Sequence, residues 1–149
     1  MWIQNVSMAD VIKGTHFFEE HKTILIQIQD VCTWKFAEPL YRDKFVEIHQ
    51  FEFMDADDPG DDCNITEEQA KQIATILTSA KDRGMNVVVH CHAGLCRSGA
   101  VADVGHLLGF QDTEMPRMPN ILVKNRLKKA LGLEVDYTEV FKFHIPEWE

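Results

Sequence analysis

The sequence predicts an α/β fold with a central, mostly parallel sheet flanked by helices. Three observations carry this expectation. Val87-Val88-Val89 forms the centre of an unbroken apolar run, the pattern of a strand covered on both faces. Two stretches with strand-like alternation precede it, and apolar residues at helical spacing fill the segments between and after.

In chain order, Ile24 to Ile28 sets Ile24, Ile26 and Ile28 against Gln27 and Gln29, which reads as a strand. Phe45 to Phe53 alternates through Val46, Ile48 and Phe51 with one slip and reads as a second. Thr66 and Gln69 have the spacing of a capping box, and Ala70, Ile73, Ala74 and Leu77 follow at helical intervals, so a helix is expected to end near Gly84. The Val run, Asn86 to His90, is the third strand. A helix should follow it from about Ser98 to Leu108, stopped by Gly109. Another is expected from Asn120, as N-cap, through Leu122, Leu127 and Leu131 to Gly132, and a short last one from Asp136 to Phe143. No repeat, low-complexity tract or linker-like run interrupts residues 1–149, so one domain is expected.

The 149 residues are 45% hydrophobic and 26% charged, the balance of an ordinary soluble protein. No apolar run approaches a membrane-spanning length, and Met1-Trp2-Ile3-Gln4-Asn5-Val6 has neither the cationic start nor the apolar stretch of a secretory signal. A cytoplasmic location is the default expectation. Cys32, Cys63, Cys91 and Cys96 are too sparse for a disulfide scaffold and are expected to be reduced thiols. With 15 basic against 24 acidic residues, the net charge of -9 argues against nucleic acid or an anionic membrane as partner. A phosphate site on so acidic a chain must create its own local positive field.

Such a field is predicted directly after the buried strand. His90-Cys91-His92-Ala93-Gly94-Leu95-Cys96-Arg97-Ser98-Gly99 leads into a helix at the place where ligands bind in layered α/β folds, beyond the C-terminal strand ends. A loop entering a helix turns several backbone N–H groups towards one point, and the helix dipole adds partial positive charge. Arg97 adds a guanidinium fork that can hold two phosphate oxygens. The same field stabilises a thiolate at Cys91, making it a nucleophile at neutral pH.

These residues resemble the cysteine-dependent protein tyrosine phosphatase superfamily, whose His-Cys-x5-Arg-Ser/Thr signature is matched by His90, Cys91, Arg97 and Ser98, with Gly94 in its usual place. The chain is most similar to the small dual-specificity branch, including compact bacterial and phage-type members, because the motif lies past mid-chain. The resemblance spans about Phe45 to Leu108. It implies a metal-free and cofactor-free phosphomonoester hydrolase with Cys91 as nucleophile, and with Arg97 and the backbone from His92 through Ala93, Gly94, Leu95 and Cys96 as the phosphate cradle. Ser98 resembles the hydroxyl residue that helps the cysteine leave, and His90 a structural histidine that orients the loop. A general acid is implied on an upstream loop. Asp55 is similar to it in position, being the first acid after the second strand, with Asp57 and Asp58 as alternatives. A phosphorylated protein, phosphotyrosine first, is the implied substrate, with phosphoinositides and small phosphate esters also open. The resemblance sets neither pocket depth nor oligomeric state.

Other readings attach to the same residues. A phosphate-binding module without turnover would keep the loop. A metal or redox protein would use His90, Cys91, His92 and Cys96, although no CxxC pair is present. Rhodanese-like and Cdc25-like enzymes share Cys-x5-Arg but fit the Gly94 and Ser98 pattern less well. His92 either tunes the thiolate or lines the loop. Cys96 stands where small residues are common, either inert or able to pair with Cys91 on oxidation. The basic residues Arg117, Lys124, Arg126, Lys128 and Lys129 either greet an anionic substrate or form the wet face of a helix. The acidic run from Asp55 to Asp62 lacks the alternation and closing Glu of a calcium loop.

Overall fold

A computed structural model of the chain describes residues 1–15, 18–56, 58 and 60–135. Its strands are β1 (Trp2–Ser7), β2 (Thr23–Gln29), β3 (Glu47–Glu52), β4 (Asn86–Cys91) and β5 (Gln111–Asp112). The helices are α1 (Met8–Lys13) after β1, α2 (Glu67–Arg83) after β3, α3 (Arg97–Leu107) after β4 and α4 (Ile121–Ala130) after β5, with only a 3-10 turn at Arg42–Lys44 between β2 and β3. The sheet order is β3-β2-β4-β1-β5, and every pairing is parallel. The expected α/β architecture is present, with a sheet parallel throughout the described residues. β4 is central, with Val88 beside Gln4 on one side and Leu25 on the other.

Sheet burial explains the sequence pattern. One face of the sheet, through Ile3, Ile24, Ile26, Ile28, Val87 and Val89, packs in one apolar cluster with Ile73 and Leu77 of α2, Val101 and Val104 of α3, and Val123 and Leu127 of α4. The opposite face is smaller and joins Val6, Val88 and Leu25 to Val11 of α1 and Phe45. Burying each large aliphatic side chain is worth about 1.5–3 kcal/mol, so the Ile73 and Leu77 stripe is what holds α2 to the sheet.

Local signals set the helix ends. Thr66 and Gln69 form the reciprocal capping box of α2, and Gly84, in the left-handed region at φ 66°, closes it. Asn120 caps α4 through its side chain, as expected. α3 begins at Arg97, one residue earlier than the sequence suggests, and is buried from Arg97 through Ala102 and at Val104 and Gly105. Its Gly105 lets β1 approach closely, since a Cβ there would meet Ile3 Cδ1 at 2.6 Å.

The strand expected at Ile24 to Ile28 is present as β2, and its Ile and Gln alternation does not mark a solvated face: Gln27 is fully buried and β2 is covered on both sides. Gln27 Nε2 donates to the Ala37 carbonyl and its Oε1 accepts from Gln50 Nε2, so hydrogen bonding offsets the burial of the amide. The second strand is shorter than Phe45 to Phe53, running from Glu47 to Glu52 at the sheet edge. The sequence reading omitted β1, α1 and the two-residue β5. β1 buries the polar Gln4 and Asn5, which hides its strand character, and α1 has six residues with one buried side chain, too few for a periodic signal. The short helix expected from Asp136 to Phe143 lies outside the described residues.

Among the described residues no helix is long and apolar enough to cross a membrane.

Candidate functional site

β4 delivers Cys91 at its C-terminal end, buried at 3% exposure, and the chain then turns through residues 92–96 into α3. The loop's shape is set by what holds its carbonyl groups. The His92 carbonyl accepts from Met8 N–H at 3.2 Å and the Gly94 carbonyl from Asn5 Nδ2 at 2.7 Å. The Leu95 carbonyl accepts from Met118 N–H at 3.0 Å, and the Cys96 carbonyl from Asn120 N–H at 2.9 Å and Ala100 N–H at 3.0 Å. Carbonyls engaged with the surrounding fold leave the N–H groups facing the other way. Among the described residues, the N–H groups of Ala93, Leu95 and Cys96 donate to no backbone carbonyl, while those of Gly94 and Ser98 point at the Cys91 sulfur. The N-cap position of α3, Cys96, supplies no side-chain cap. The result is a concave nest of unpaired donors at a helix N-terminus, an arrangement that suits an anion.

Gly94 makes this turn possible. Its φ is +77°, and a Cβ would lie 2.4 Å from the Val6 carbonyl carbon and 2.6 Å from Ser7 N. The loop therefore passes directly against the end of β1, where only a hydrogen fits.

The Cys91 thiol feels opposing effects. Burial raises its pKa, but hydrogen bonds from the Ser98 hydroxyl and from the Ser98 and Gly94 N–H groups, with the charge of Arg97, outweigh it and hold the thiol below its ordinary value. Ser98 Oγ lies 3.1 Å from Cys91 Sγ. Arg97 is itself 4% exposed, and its Nη1 donates to Asp30 Oδ1 at 2.8 Å and to the Phe53 carbonyl at 2.7 Å. Its Nε is buried and has no partner among the described residues. A buried guanidinium N–H is costly to leave unpaired, so the fork is set for an acceptor that arrives from outside. A cleft of roughly 200 Å³, lined by Met8, Ile28, Gln29, Asp30, Thr33, His92 and Arg97, gives access.

Asp55 is brought to the rim of this loop. Its Oδ1 accepts from Asn120 Nδ2 at 2.8 Å, and its carboxylate lies close enough to act on the Cys96 thiol. Burial, and then the negative charge of Asp55, push that thiol up to about 11. Asp58 is not brought there: its side chain accepts from Gly60 N–H at 2.9 Å in a local turn. Asp57 lies outside the described residues. His90 is fully buried with Nδ1 3.3 Å from the Cys91 carbonyl, behind the loop, while His92 is exposed and lines the cleft. Among the described residues no group of three or more His, Cys, Asp or Glu is arranged to hold a metal ion.

The basic residues do not form a free cationic rim. Arg117 pairs with Asp103 and Asp112, Lys124 with Asp103, and Lys129 with Glu67, while Arg126 donates to the Ile65 carbonyl and Lys128 is buried.

No protein-family model matches the chain, and no curated protein sequence matches it. Among solved structures it is similar to human tyrosine phosphatase-like serine/threonine/tyrosine-interacting protein, at 17% identity over 81% of this chain and 73% of that one, with a TM-score of 0.45. It is also similar to Tk-PTP in the active form, at 15% identity over 96% of this chain and 88% of that one, with a TM-score of 0.47.

Sequence reasoning missed three residues of this site. Asn5 lies in the unassigned first strand, and Asn120 was read as a helix cap only. Asp30 follows β2 directly, and that position at the C-terminal end of a parallel strand was the available signal.

Proposed function

We propose that this protein is a cysteine-dependent phosphomonoester hydrolase of the tyrosine and dual-specificity phosphatase type, acting on phosphorylated protein, phosphotyrosine above all. One observation carries the reading: a thiol of lowered pKa lies beneath a nest of unpaired N–H groups, beside a buried arginine whose Nε has no partner. A phosphoryl group supplies acceptors for those donors and an electrophile for that sulfur.

In the proposed reaction the Cys91 thiolate attacks phosphorus. The P–O bond to the leaving group breaks, and Asp55 gives its proton to the departing oxygen. The loop N–H groups and Arg97 stabilise the equatorial oxygens. Water then attacks the phosphocysteine and loses a proton to Asp55. The S–P bond breaks, phosphate leaves, and the Ser98 hydroxyl stabilises the returning thiolate. Proton and nucleophile are both restored.

The test is hydrolysis of p-nitrophenyl phosphate in EDTA by wild type and Cys91→Ser, with vanadate as inhibitor. Activity that survives EDTA, is blocked by vanadate and is lost in Cys91→Ser supports the reading. Activity retained in Cys91→Ser removes Cys91 as nucleophile. Vanadate binding without turnover of any ester would instead identify a phosphate-binding module.

A further inference from the structure

We infer that Asn120 is the positioning residue that holds Asp55 over the Cys91 loop, an inference that rests on the phosphatase reading above. Asn120 is 5% exposed, and its polar groups are all engaged. Nδ2 donates to Asp55 Oδ1 at 2.8 Å and to the Ala56 carbonyl at 3.0 Å. Oδ1 accepts from Val123 N–H at 3.0 Å, capping α4. The backbone N–H donates to the Cys96 carbonyl at 2.9 Å, and the backbone carbonyl accepts from Lys124 N–H at 3.0 Å. One residue thus ties the Cys91 loop, the Asp55 loop and a helix start together.

The helix cap fixes which way the amide faces. Val123 N–H can only donate, so the amide oxygen must turn to α4 and the NH2 group to the Asp55 loop. Asp55 is exposed on a loop, where an untethered carboxylate would sample several rotamers. With Oδ1 occupied by the Asn120 amide, the transferable proton is confined to Oδ2. The acid is thereby aimed as well as held, and proton transfer depends on that geometry. The backbone N–H of Asn120 on the Cys96 carbonyl keeps this tether in register with the loop itself. Asparagine suits position 120 because it alone combines the cap acceptor with a two-proton donor: serine keeps the cap with a shorter reach, and aspartate keeps the cap but turns an acceptor on Asp55.

That distinction gives the experiment. Asn120→Ser and Asn120→Asp retain the α4 cap and lose the amide donor. Hydrolysis is measured with phosphotyrosine, whose leaving group needs a proton, and with p-nitrophenyl phosphate, whose leaving group needs it far less. We expect kcat/KM on phosphotyrosine, which reports phosphocysteine formation alone, to fall by roughly 10²-fold and kcat/KM on p-nitrophenyl phosphate by less than about 3-fold, the signature of impaired general-acid catalysis. Vanadate inhibition should stay near wild type, and Asp55→Asn combined with Asn120→Asp should be no slower than Asp55→Asn. Equal losses of kcat/KM on both esters, a matching loss of vanadate affinity, or wild-type kcat/KM on phosphotyrosine overturns the role of Asn120. If wild type hydrolyses neither ester, the phosphatase reading fails and this role fails with it.

Discussion

Arg97 and Asp30 form an ion pair of unequal partners: Arg97 Nη1 lies 2.8 Å from Asp30 Oδ1, with the arginine side chain 5% exposed and the aspartate 59%. The carboxylate is solvated and adds little to stability, yet it holds a buried guanidinium by one nitrogen. The Phe53 carbonyl takes the same nitrogen from the other side. Nη1 is thereby occupied while Nε keeps no partner among the described residues, which orients the fork.

Asp30 is accordingly predicted to matter for substrate binding and not for folding. Asp30→Ala should raise KM for p-nitrophenyl phosphate by about tenfold, the worth of one charge-assisted hydrogen bond, with little change in the urea midpoint. Asp30→Asn, which keeps an acceptor, should recover most of the loss. Steady-state kinetics of the two variants check this, and an unchanged KM in Asp30→Ala would show that Phe53 suffices to orient Arg97.

A second prediction concerns pH. The folded-state pKa of Cys91 is lowered, so the thiolate dominates from a lower pH than in an ordinary cysteine and is lost as pH falls through that value. Ser98→Ala removes the hydroxyl 3.1 Å from the sulfur and should move the alkylation profile of Cys91 to higher pH. Iodoacetate labelling followed by peptide mapping reads the shift. Cys96, pushed up to about 11, should resist labelling at neutral pH.

Gly94→Ala is predicted to abolish turnover and vanadate binding together. The added methyl would meet the β1 backbone at 2.4 Å in a residue with φ +77°. Backbone strain of this kind costs about 1–3 kcal/mol before the clash is counted, so the thermal midpoint should also fall. Wild-type vanadate affinity in this variant would mean that the loop does not need its contact with β1.

Acid stability should depend on the pair formed by Arg117 and Asp112. The Arg117 guanidinium holds the Asp112 carboxyl at about 2, below its ordinary range. Its stabilising contribution is present above the unfolded-state value near pH 4 and is lost as pH falls towards 2. Asp112→Asn should therefore lower the thermal midpoint at neutral pH and narrow the difference between neutral and strongly acidic conditions. An unchanged pH dependence would remove this pair from acid denaturation.

The central strand, the loop after it and the principal helices were legible because each is local: a Val run, a motif, a capping box. The parts that escaped depend on contacts far apart in sequence. Asn5 gives no sign from its neighbours that its amide will meet Gly94, and Gln27 and Gln29 look solvated until the segment around Ala37 folds over them. Asp55 was legible as the first acid beyond a strand, whereas its tether Asn120 belongs to another helix. The paired Arg117 and Lys124 show the converse, a charge cluster whose partners at positions 103 and 112 neutralise it.

The way the loop carbonyls are anchored has a kinetic consequence. Asn5 reaches across 89 residues to Gly94 and 111 residues to Pro116, so the nest cannot take shape until β1 has met the segments around both. Contacts of such long sequence separation are entropically late in folding. A chain that has assembled its helices and most of its sheet would still lack an anion site, and oxyanion binding would mark only fully folded molecules. Vanadate or phosphate should then slow unfolding of the whole protein, with the half-life lengthening as ligand is added, because releasing β1 and releasing the ligand would be the same event.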